Sequence, residues 1–284
     1  MPETALTLIR IAHSPDPDDA FMHYALAEHK LDAGNFRFEH HLGDIESLNR
    51  RALQGEFEVT AVSIHAFAYL TGSYMLLNHG ASMGEGYGPR IVARKTMPVT
   101  RLARGRGLRM AIPGEWTSAH LAAQLMIGAY DFEVVPFDRI LEAVARGEFD
   151  AGLVIHEGQL TYTDMGLELV ADLGSWWASE TGGLPLPLGG NAIRRDLGAQ
   201  IPSVSRLLKE SIEYALTPRQ EALAYAAGFG RGLDPGRNDT FVGMYVNDRT
   251  LDYGDDGREA VRLFLERAHG AGLLPEPPAL EFVP

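Results

Sequence analysis

A helix followed by a glycine and an apolar strand occurs twice in this chain, and this repeat is the strongest constraint on its fold. Residues 52–67 read ALQGEFEVTAVSIHAF and residues 144–158 read VARGEFDAGLVIHEG, an offset of 92 residues from Gly55 to Gly147. Glycine commonly ends a helix, and an unbroken apolar run is typical of a strand buried on both faces. The repeat predicts two similarly wound lobes. Two ordinary helix-to-strand connections are the alternative, because glycine, an acid and an apolar residue form a common helix exit.

Short apolar runs alternate with amphipathic patterns through most of the chain, which predicts an α/β fold with mostly parallel sheets. The predicted strands are residues 6–14, 36–44, 58–66, 107–114, 132–137 and 149–158. The helices predicted between them are residues 16–31, 44–55, 117–130 and 138–147. Three further amphipathic helices with no strands between them are predicted at residues 203–217, 219–229 and 256–272.

The predicted larger lobe comprises residues 1–95 plus 191–284, and the smaller lobe residues 96–190. Residues 90–95 are the predicted outward crossover, and the Gly- and Pro-rich residues 172–198 the return, which ends in a strand rejoining the first lobe. Two linkers of this kind act as hinges.

Ligands of open α/β sheets bind beyond the carboxyl ends of the strands. The two lobes are therefore expected to open toward one central cleft. The repeat places four polar residues near that shared ligand position: Ser63, His65, His156 and Glu157.

Composition narrows the range of functions. The formal net charge is −13, which disfavours nucleic acid and anionic membrane surfaces as partners. The absence of cysteine excludes disulfides, thiolate nucleophiles and Cys-ligated metals. The first residues show no secretory leader pattern, and no apolar run reaches the length of a membrane span. We therefore expect a cytoplasmic protein that needs no metal and no cofactor; the sequence predicts nothing about its oligomeric state.

The stretch HSPDPDDAF, residues 13–21, carries three carboxylates within four residues, at Asp16, Asp18 and Asp19. Hard oxygen ligands could bind a metal. Asp16 before a proline is instead typical of a helix N-cap, and acids in the first turn suit the helix dipole. We favour the cap. Ser14, at the preceding strand tip, is a candidate ligand contact.

The glycines of GEGYGPRIVAR, residues 84–94, do not match a dinucleotide or Walker loop in spacing or context. Such loops are mostly tight turns, and some let backbone approach a ligand closely; Gly88 is the candidate here. The stretch PGEWTSAH, residues 113–120, opens a helix with Thr117 and Ser118 as cap residues. The free amides of a helix start also bind carboxylates or phosphates.

His156 differs from the other histidines because it ends a core strand and is followed by an acid and a glycine. A histidine on an apolar strand is more often a packed core residue. At the mouth of a cleft, a neutral imidazole would instead suit proton abstraction near pH 7. Ser63 lacks the G-x-S-x-G context of a nucleophile, so we interpret it as a hydrogen-bonding residue.

Several stretches together resemble one known family. They are HSPDPDDAFMHYAL, DIESLNRRALQG, GEGYGPRIVAR, FDRILEAVARGEFDAGLVIHEGQLTYTDMGLELVADLGSWW and TGGLPLPLGGNAIRRDLG. They are similar to the 1,4-dihydroxy-6-naphthoate synthase (MqnD) family of the futalosine route to menaquinone, over residues 8 to 282. The resemblance implies a two-lobed fold like the type 2 periplasmic binding proteins, with two crossovers and a central cleft.

The resemblance also implies a carbon–carbon lyase that acts on a small-molecule carboxylate. Its substrate would be cyclic dehypoxanthine futalosine, and its products 1,4-dihydroxy-6-naphthoate and dihydroxyacetone. The base would be His156. The ligand contacts carried over are Ser63 and the pair Ser118-Ala119, with Thr117 beside it.

The chain departs from the family's Ser-Pro-Cys-Pro-Asn-Asp pattern by reading Ser-Pro-Asp-Pro-Asp-Asp from Ser14. The added negative charge argues against anion binding by this loop. Two alternatives share the fold: the sister enzyme chorismate dehydratase and a solute-binding protein without catalysis. The IHEGQLTY stretch argues against the first, and His156 at the strand tip argues against the second.

Overall fold

The computed structural model describes residues 6–231, 233–277 and 279–283. Two compact units are present. The first contains the described residues of Met1–Ser82, Gly189–Gly254 and Pro278–Pro284, and the second contains Met83–Leu188 and Asp255–Pro277. Within the described residues, no helix is both long and apolar enough to cross a membrane.

The secondary-structure elements follow the predicted alternation. Strands β1 to β11 are, in chain order, Thr7–His13, Phe36–Leu42, Val59–Ser63, Tyr74–Leu76, Ser82–Gly84, Arg90–Ala93, Arg109–Ile112, Asp131–Val134, Ala151–Val154, Glu168–Asp172 and Leu186–Arg194. Helices α1 to α12 are Pro17–Ala27, Ile45–Ala52, Ile64–Phe67, Ser118–Ile127, Ile140–Arg146, Gly158–Thr161, Leu173–Thr181, Ile201–Leu216, Arg219–Ala227, Pro235–Tyr245, Asp248–Leu251 and Gly254–Gly270.

The sheet of the first unit has the strand order β2-β1-β3-β11-β4, with β5 paired to β11. Strand β1 is parallel to both β2 and β3, and β11 is antiparallel to β3 and β4. Every residue of β3 is buried, which is why its sequence is a continuous run rather than an alternation.

The sheet of the second unit has the order β10-β6-β9-β7-β8. Strand β7 is parallel to β8 and β9, while β6 is antiparallel to β9 and β10. Read from β8, this is the same succession of parallel and antiparallel pairs as in the first sheet read from β2. Strands β3 and β9 occupy equivalent places, so the repeat in the sequence corresponds to a repeat in topology.

The glycine that follows each repeated helix has the backbone conformation expected of a helix-ending glycine. Gly55 has φ = 68° and Gly147 has φ = 78°, both in the left-handed region that glycine enters without steric cost. Gly147 is the C-cap of α5. A Cβ atom at Gly147 would meet only the end of the flexible, exposed Arg94 side chain, so the backbone conformation is what requires glycine there.

Three details differ from the sequence-based expectation. The sheets are mixed rather than mostly parallel, because β6, β10 and β11 run antiparallel to their neighbours. The predicted outward crossover at residues 90–95 contains β6, which lies inside the second sheet. Helix α12 belongs to the second unit, where Phe264 packs edge-on at 5.5 Å against the buried Trp177. The predicted division into lobes at residues 95 and 191 stays a prediction.

Helices pack against the first sheet and contribute to its core. Val204 and Leu208 of α8 pack in one cluster with Ile9, Ile11 and Val59 of the sheet. The predicted helices at 203–217 and 219–229 correspond to α8 and α9. Helix α10 was not predicted from the sequence; its N-cap Asp234 accepts from the amide of Arg237.

Three histidines of the first unit contact one another: His13 and His23 are buried, and His40 is half-buried. The ring centroids of His13 and His23 lie 4.6 Å apart, and that of His40 lies 5.3 Å from His13. His13 Nδ1 is 3.0 Å from the carbonyl oxygen of Ser14, and its Nε2 is 3.1 Å from His40 Nδ1. Since a carbonyl oxygen only accepts, His13 Nδ1 carries the proton, and His40 donates to the Nε2 of a neutral His13.

Burial keeps these rings neutral. It lowers the pKa of His13 to about 4, although the Ser14 carbonyl and Asp16 act in the opposite direction. Burial and the neighbouring histidines lower the pKa of His40 to about 3 and place that of His23 well below its usual value. Both ring nitrogens of His23 are buried and make no hydrogen bond within the described chain.

We expect the chain to lose stability as the pH falls below about 6.5. The unfolded chain binds protons at these histidines near pH 6.5, whereas in the folded chain His13 does so only near pH 4, His40 only near pH 3, and His23 only well below its usual pKa. Each such histidine therefore steepens the fall by up to about 1.4 kcal/mol per pH unit. Urea unfolding between pH 8 and pH 5 measures this slope.

The variant His23→Phe keeps an aromatic ring and removes one titrating group. Its free energy of unfolding is expected to fall less steeply with pH than that of the parent chain. His29→Asn is the matched control, because His29 is exposed and its backbone, at φ = 52°, suits asparagine. Equal slopes for His23→Phe and the parent chain would contradict the assignment.

Candidate active site

His156 lies just beyond the central strand of the second sheet. Strand β9 is buried throughout and ends at Val154, two residues earlier than the sequence pattern suggested. His156 has φ = 60°, one of three non-glycine residues with positive φ in the described chain. A left-handed backbone at a non-glycine residue is costly and is frequent at functional sites.

The ring of His156 is held against an aromatic side chain. The centroid of Phe137 lies 4.6 Å from that of His156, with the planes inclined at 66°. Phe137 precedes α5, in the loop that follows β8. His156 as a residue is half-buried, and its Nε2 atom is shielded from solvent. The side chain is therefore neither a surface histidine nor a fully packed core residue.

Arg90 braces the segment that follows His156. Its Nη1 donates to the carbonyl oxygen of Gln159 at 2.6 Å, and its guanidinium lies 5.6 Å from the ring centroid of Tyr162. Its Nε donates to Asp172 at 3.3 Å. The other oxygen of Asp172 caps α7 through the amide of Gly174. One arginine thus ties the short helix α6 to the start of α7.

Glu157 is not on a strand, so the expectation that it faces away from His156 by strand alternation does not apply. It has helical dihedrals and is the N-cap residue of α6. Its carbonyl oxygen accepts from the amide of Leu160, and that of His156 accepts from the amide of Gln159.

The predicted helix start is present at α4. Thr117 is the N-cap, and its hydroxyl accepts from the amide of His120 at 3.2 Å and donates to the carbonyl of Gly114 at 2.8 Å. The hydroxyl of Ser118 donates to the carbonyl of Leu188 at 2.6 Å. Ala119 is buried in the first turn. Both hydroxyl protons therefore go to protein carbonyls, so a carboxylate at this turn would rely on backbone amides.

Ser63 is the last residue of β3 and is 3% exposed. Asn49 of α2, itself fully buried, makes two hydrogen bonds to it. The Ser63 amide donates to Asn49 Oδ1 at 2.9 Å, and Asn49 Nδ2 donates to Ser63 Oγ at 3.0 Å. His65 lies two residues further on, in α3, and is buried with its ring 6.1 Å from that of Tyr69.

Ser14 follows β1 directly and is held by Asp19. Its amide and its hydroxyl both donate to Asp19 Oδ2 at 2.7 Å. Asp16 has the backbone of an N-cap, and Pro17 is the first residue of α1 as predicted. Its side chain makes no capping bond, however, because it forms an ion pair at 2.7 Å with Arg231.

Gly88 lies against the start of α7. A Cβ atom at this position would be 2.9 Å from the nitrogen and 3.1 Å from the Cα of Gly174. Close approach of two backbone segments explains this glycine, and its role as a substrate contact stays a prediction. Among the described residues, no group of three or more His, Asp or Glu side chains could hold a metal ion.

The structure brings some of the predicted residues together within each unit and adds others. Ser14 lies beside the cluster of His13, His23 and His40 in the first unit, and His156 lies beside Phe137 in the second. Three residues of these surroundings were not predicted from the sequence: Asn49, Arg90 and Phe137. The signal for Asn49 was available, because a lone amide on the apolar face of a helix requires a buried partner.

Comparison with known proteins identifies relatives over nearly the whole chain. A family model described as menaquinone biosynthesis matches residues 9–270. A curated Thermus thermophilus protein is 38% identical over 97% of this chain and 99% of its own length. A Streptomyces coelicolor protein is 36% identical over 96% of this chain and 98% of its own length. Both are named 1,4-dihydroxy-6-naphthoate synthase.

Solved structures support the fold. A crystal structure of an Archaeoglobus fulgidus protein shares 44% identity with a TM-score of 0.89, covering 96% of this chain and all of that one. The alkanesulfonate-binding protein of Xanthomonas axonopodis has a TM-score of 0.69 at 14% identity, over 98% of this chain and 99% of its own. A Candida albicans protein described as having the generic periplasmic-binding-protein fold has a TM-score of 0.67 at 13% identity, covering 95% and 92%.

The last two similarities concern the fold alone, and they confirm the predicted α/β fold like that of the periplasmic binding proteins. The sequence matches go further, because they cover nearly all of this chain and of the proteins it matches. The chain therefore belongs to the menaquinone-biosynthesis family whose curated members from Thermus thermophilus and Streptomyces coelicolor are named 1,4-dihydroxy-6-naphthoate synthase.

Proposed function

We propose that this chain is a carbon–carbon lyase that converts cyclic dehypoxanthine futalosine to 1,4-dihydroxy-6-naphthoate and dihydroxyacetone. The match of the family model over residues 9–270 and the names of the two curated relatives support the reaction. The substrate is a small-molecule carboxylate, and neither nucleic acid nor a membrane is a partner of a chain with net charge −13. We place the enzyme in the cytoplasm, because its relatives are named for a biosynthetic step.

His156 is the general base in this proposal, and the observation that carries this assignment is its left-handed backbone at the end of β9. Strain of this kind persists only where the surroundings impose it. The edge of the ring is held against Phe137, so the imidazole has little freedom to turn. As a neutral ring it removes a proton from the carbocycle of the substrate. Cleavage of the carbon–carbon bond then releases the three-carbon fragment, which takes up the proton held by His156, and formation of the aromatic ring drives the reaction.

The remaining residues bind the substrate. In the second unit, the backbone amides at the start of α4 suit an anionic group, since the helix dipole and free N–H groups both favour negative charge there. In the first unit, the hydroxyl groups at the carboxyl ends of β1 and β3 supply further hydrogen bonds. The proposed substrate contacts are Ser14, Ser63, His65, Gly88, Thr117, Ser118 and Ala119.

Incubation with cyclic dehypoxanthine futalosine is expected to yield 1,4-dihydroxy-6-naphthoate, detected by mass spectrometry. The same preparation is expected to leave chorismate unchanged. Turnover of chorismate without naphthoate would identify the sister dehydratase. Binding of the substrate without any product would identify a solute-binding protein.

Replacing His156 is expected to lower kcat by about 10²–10⁴-fold with a small change in KM, because a positioned base contributes rate of this order. His156→Asn is the preferred variant, since asparagine tolerates the left-handed backbone and cannot act as the base. His156→Ala is the second.

The matched control is His269→Gln, a half-buried histidine of the second unit whose Nδ1 donates to the Leu274 carbonyl oxygen. The control is expected to keep full activity. Parent-like turnover by a folded His156→Asn protein would refute the base assignment.

Arg90→Met is expected to lower kcat on the order of tenfold while the chain stays folded, because loss of the contacts to Gln159 and Tyr162 loosens the segment that positions His156. Arg104→Met is the control, since Arg104 is an exposed arginine of the same unit, paired with Asp131. Steady-state kinetics of both variants, with thermal unfolding as a check on folding, make the comparison. An unchanged kcat in Arg90→Met would show that this brace does not influence the base.

A further inference from the structure

An arginine distant in the chain neutralises the almost completely buried carboxylate of Asp16. Asp16 is 1% exposed, and Nη1 of Arg231 donates to its Oδ1 at 2.7 Å. Nη2 of the same guanidinium donates to the carbonyl oxygen of Pro15 at 3.2 Å. A buried carboxylate is costly unless it is paired and hydrogen-bonded. Arg231 therefore holds both the side chain of Asp16 and the backbone of the residue before it.

The backbone of Arg231 has a conformation that favours glycine. Its φ is 43°, in the left-handed region, and the sequence reads Gly-Arg-Gly over residues 230–232. A non-glycine residue enters this region at a cost, and such a conformation persists where the surroundings impose it. The chain thus carries an arginine where glycine would be unstrained, and the contacts of its guanidinium give the side chain a role there.

The segment that carries Arg231 is fixed against α1, the helix that follows the loop after β1. Helices α9 and α10 flank residue 231, and both pack with α1 in one apolar cluster. A Cβ atom at Gly230 would lie 2.9 Å from Oδ1 of Asn238, so the segment also lies directly against α10. Because such interiors are close-packed, Arg231 reaches the loop from a base that does not move independently of α1.

The first residue of this loop is held by its neighbours in sequence. The amide and the hydroxyl of Ser14 both donate to Asp19 Oδ2 at 2.7 Å, and the Ser14 carbonyl oxygen accepts from His13 Nδ1. A carboxylate oxygen only accepts, so the Ser14 hydroxyl directs its proton to Asp19 and presents lone pairs to a ligand. Arg231 adds a restraint on the next two residues, which these local bonds do not reach.

We propose that Arg231 is a positioning residue of the substrate site. By holding the two residues after Ser14, it fixes the place from which the Ser14 hydroxyl accepts a hydrogen bond from a hydroxyl group of the substrate. This inference rests on the proposed function and deepens it. Ser14 contacts the bound substrate and the transition state alike, so loss of Arg231 weakens binding more than it slows the chemical step.

The test is Arg231→Asn, because asparagine tolerates the left-handed backbone and removes the guanidinium. With cyclic dehypoxanthine futalosine as substrate, we expect KM to rise about tenfold and kcat to change less than about twofold, because one hydrogen bond made equally in both states is lost. Arg206→Gln is the matched control, since Arg206 is an exposed arginine of the same unit, paired with Glu210 on α8. It is expected to keep the parent KM and kcat.

Loss of Arg231 also deprives a buried carboxylate of its cation, so the unfolding temperature of Arg231→Asn is expected to fall. The double variant Asp16→Asn/Arg231→Asn removes that charge and supplies the answer where the single variant does not fold; its KM is expected to rise in the same way. Thermal unfolding of each variant separates the two effects. A purely structural role lowers the unfolding temperature and leaves the KM of the folded protein at the parent value.

A double-mutant cycle tests whether Arg231 acts through Ser14. Ser14→Ala alone is expected to raise KM to a similar degree, and Arg231→Asn in that background is expected to change KM little further. Fully additive increases, or a parent KM in both the single and the double Arg231 variants, overturn the inference. Either result is distinct from failure of the proposed function, which shows as a parent protein that forms no naphthoate from cyclic dehypoxanthine futalosine.

Discussion

Burial of the central strands is the constraint on which the rest of each unit depends. All residues of β3 and β9 are buried, so both strands are continuous apolar runs and their backbones are fully engaged in the sheets. The polar residue at or just beyond the end of each strand is then placed by a rigid support. It must also find its hydrogen bonds locally, because water has little access at that depth. Ser63 does so through Asn49, and His156 adopts a left-handed turn against Phe137.

The equivalent strands β3 and β9 position polar side chains of different chemistry in the two units. In the first unit, a buried amide gives the hydroxyl at the strand end a single direction. In the second, the chain leaves the sheet through a strained turn, and Arg90 ties the following helix to the neighbouring strand and helix. A hydroxyl suits binding and an imidazole suits proton transfer, so under the proposed function one topology repeated in the chain supplies two separate roles.

The sequence predicted the architecture well because periodicity and glycine stops are local signals. Strand β1, helix α1 and the helix-ending Gly55 and Gly147 follow from residues within a few positions of each other. What it missed is set by contacts distant in the chain. The end of β9 was placed too late because nothing in LVIHEG marks His156 as left-handed. Asp16 was assigned a capping bond, but its partner Arg231 lies 215 residues away.

The acidic loop after β1 is interpreted differently once the partners of Asp16 and Asp19 are known. In the sequence, three carboxylates beside Ser14 oppose any anionic ligand. In the structure, the charge of Asp16 is offset by the guanidinium of Arg231, and Asp19 accepts both the amide and the hydroxyl of Ser14. Buried carboxylates that are paired or fully hydrogen-bonded project less field than solvated acids of the same number would suggest. The acids therefore shape the loop and determine the direction of the Ser14 hydroxyl, and a carboxylate substrate is compatible with their presence.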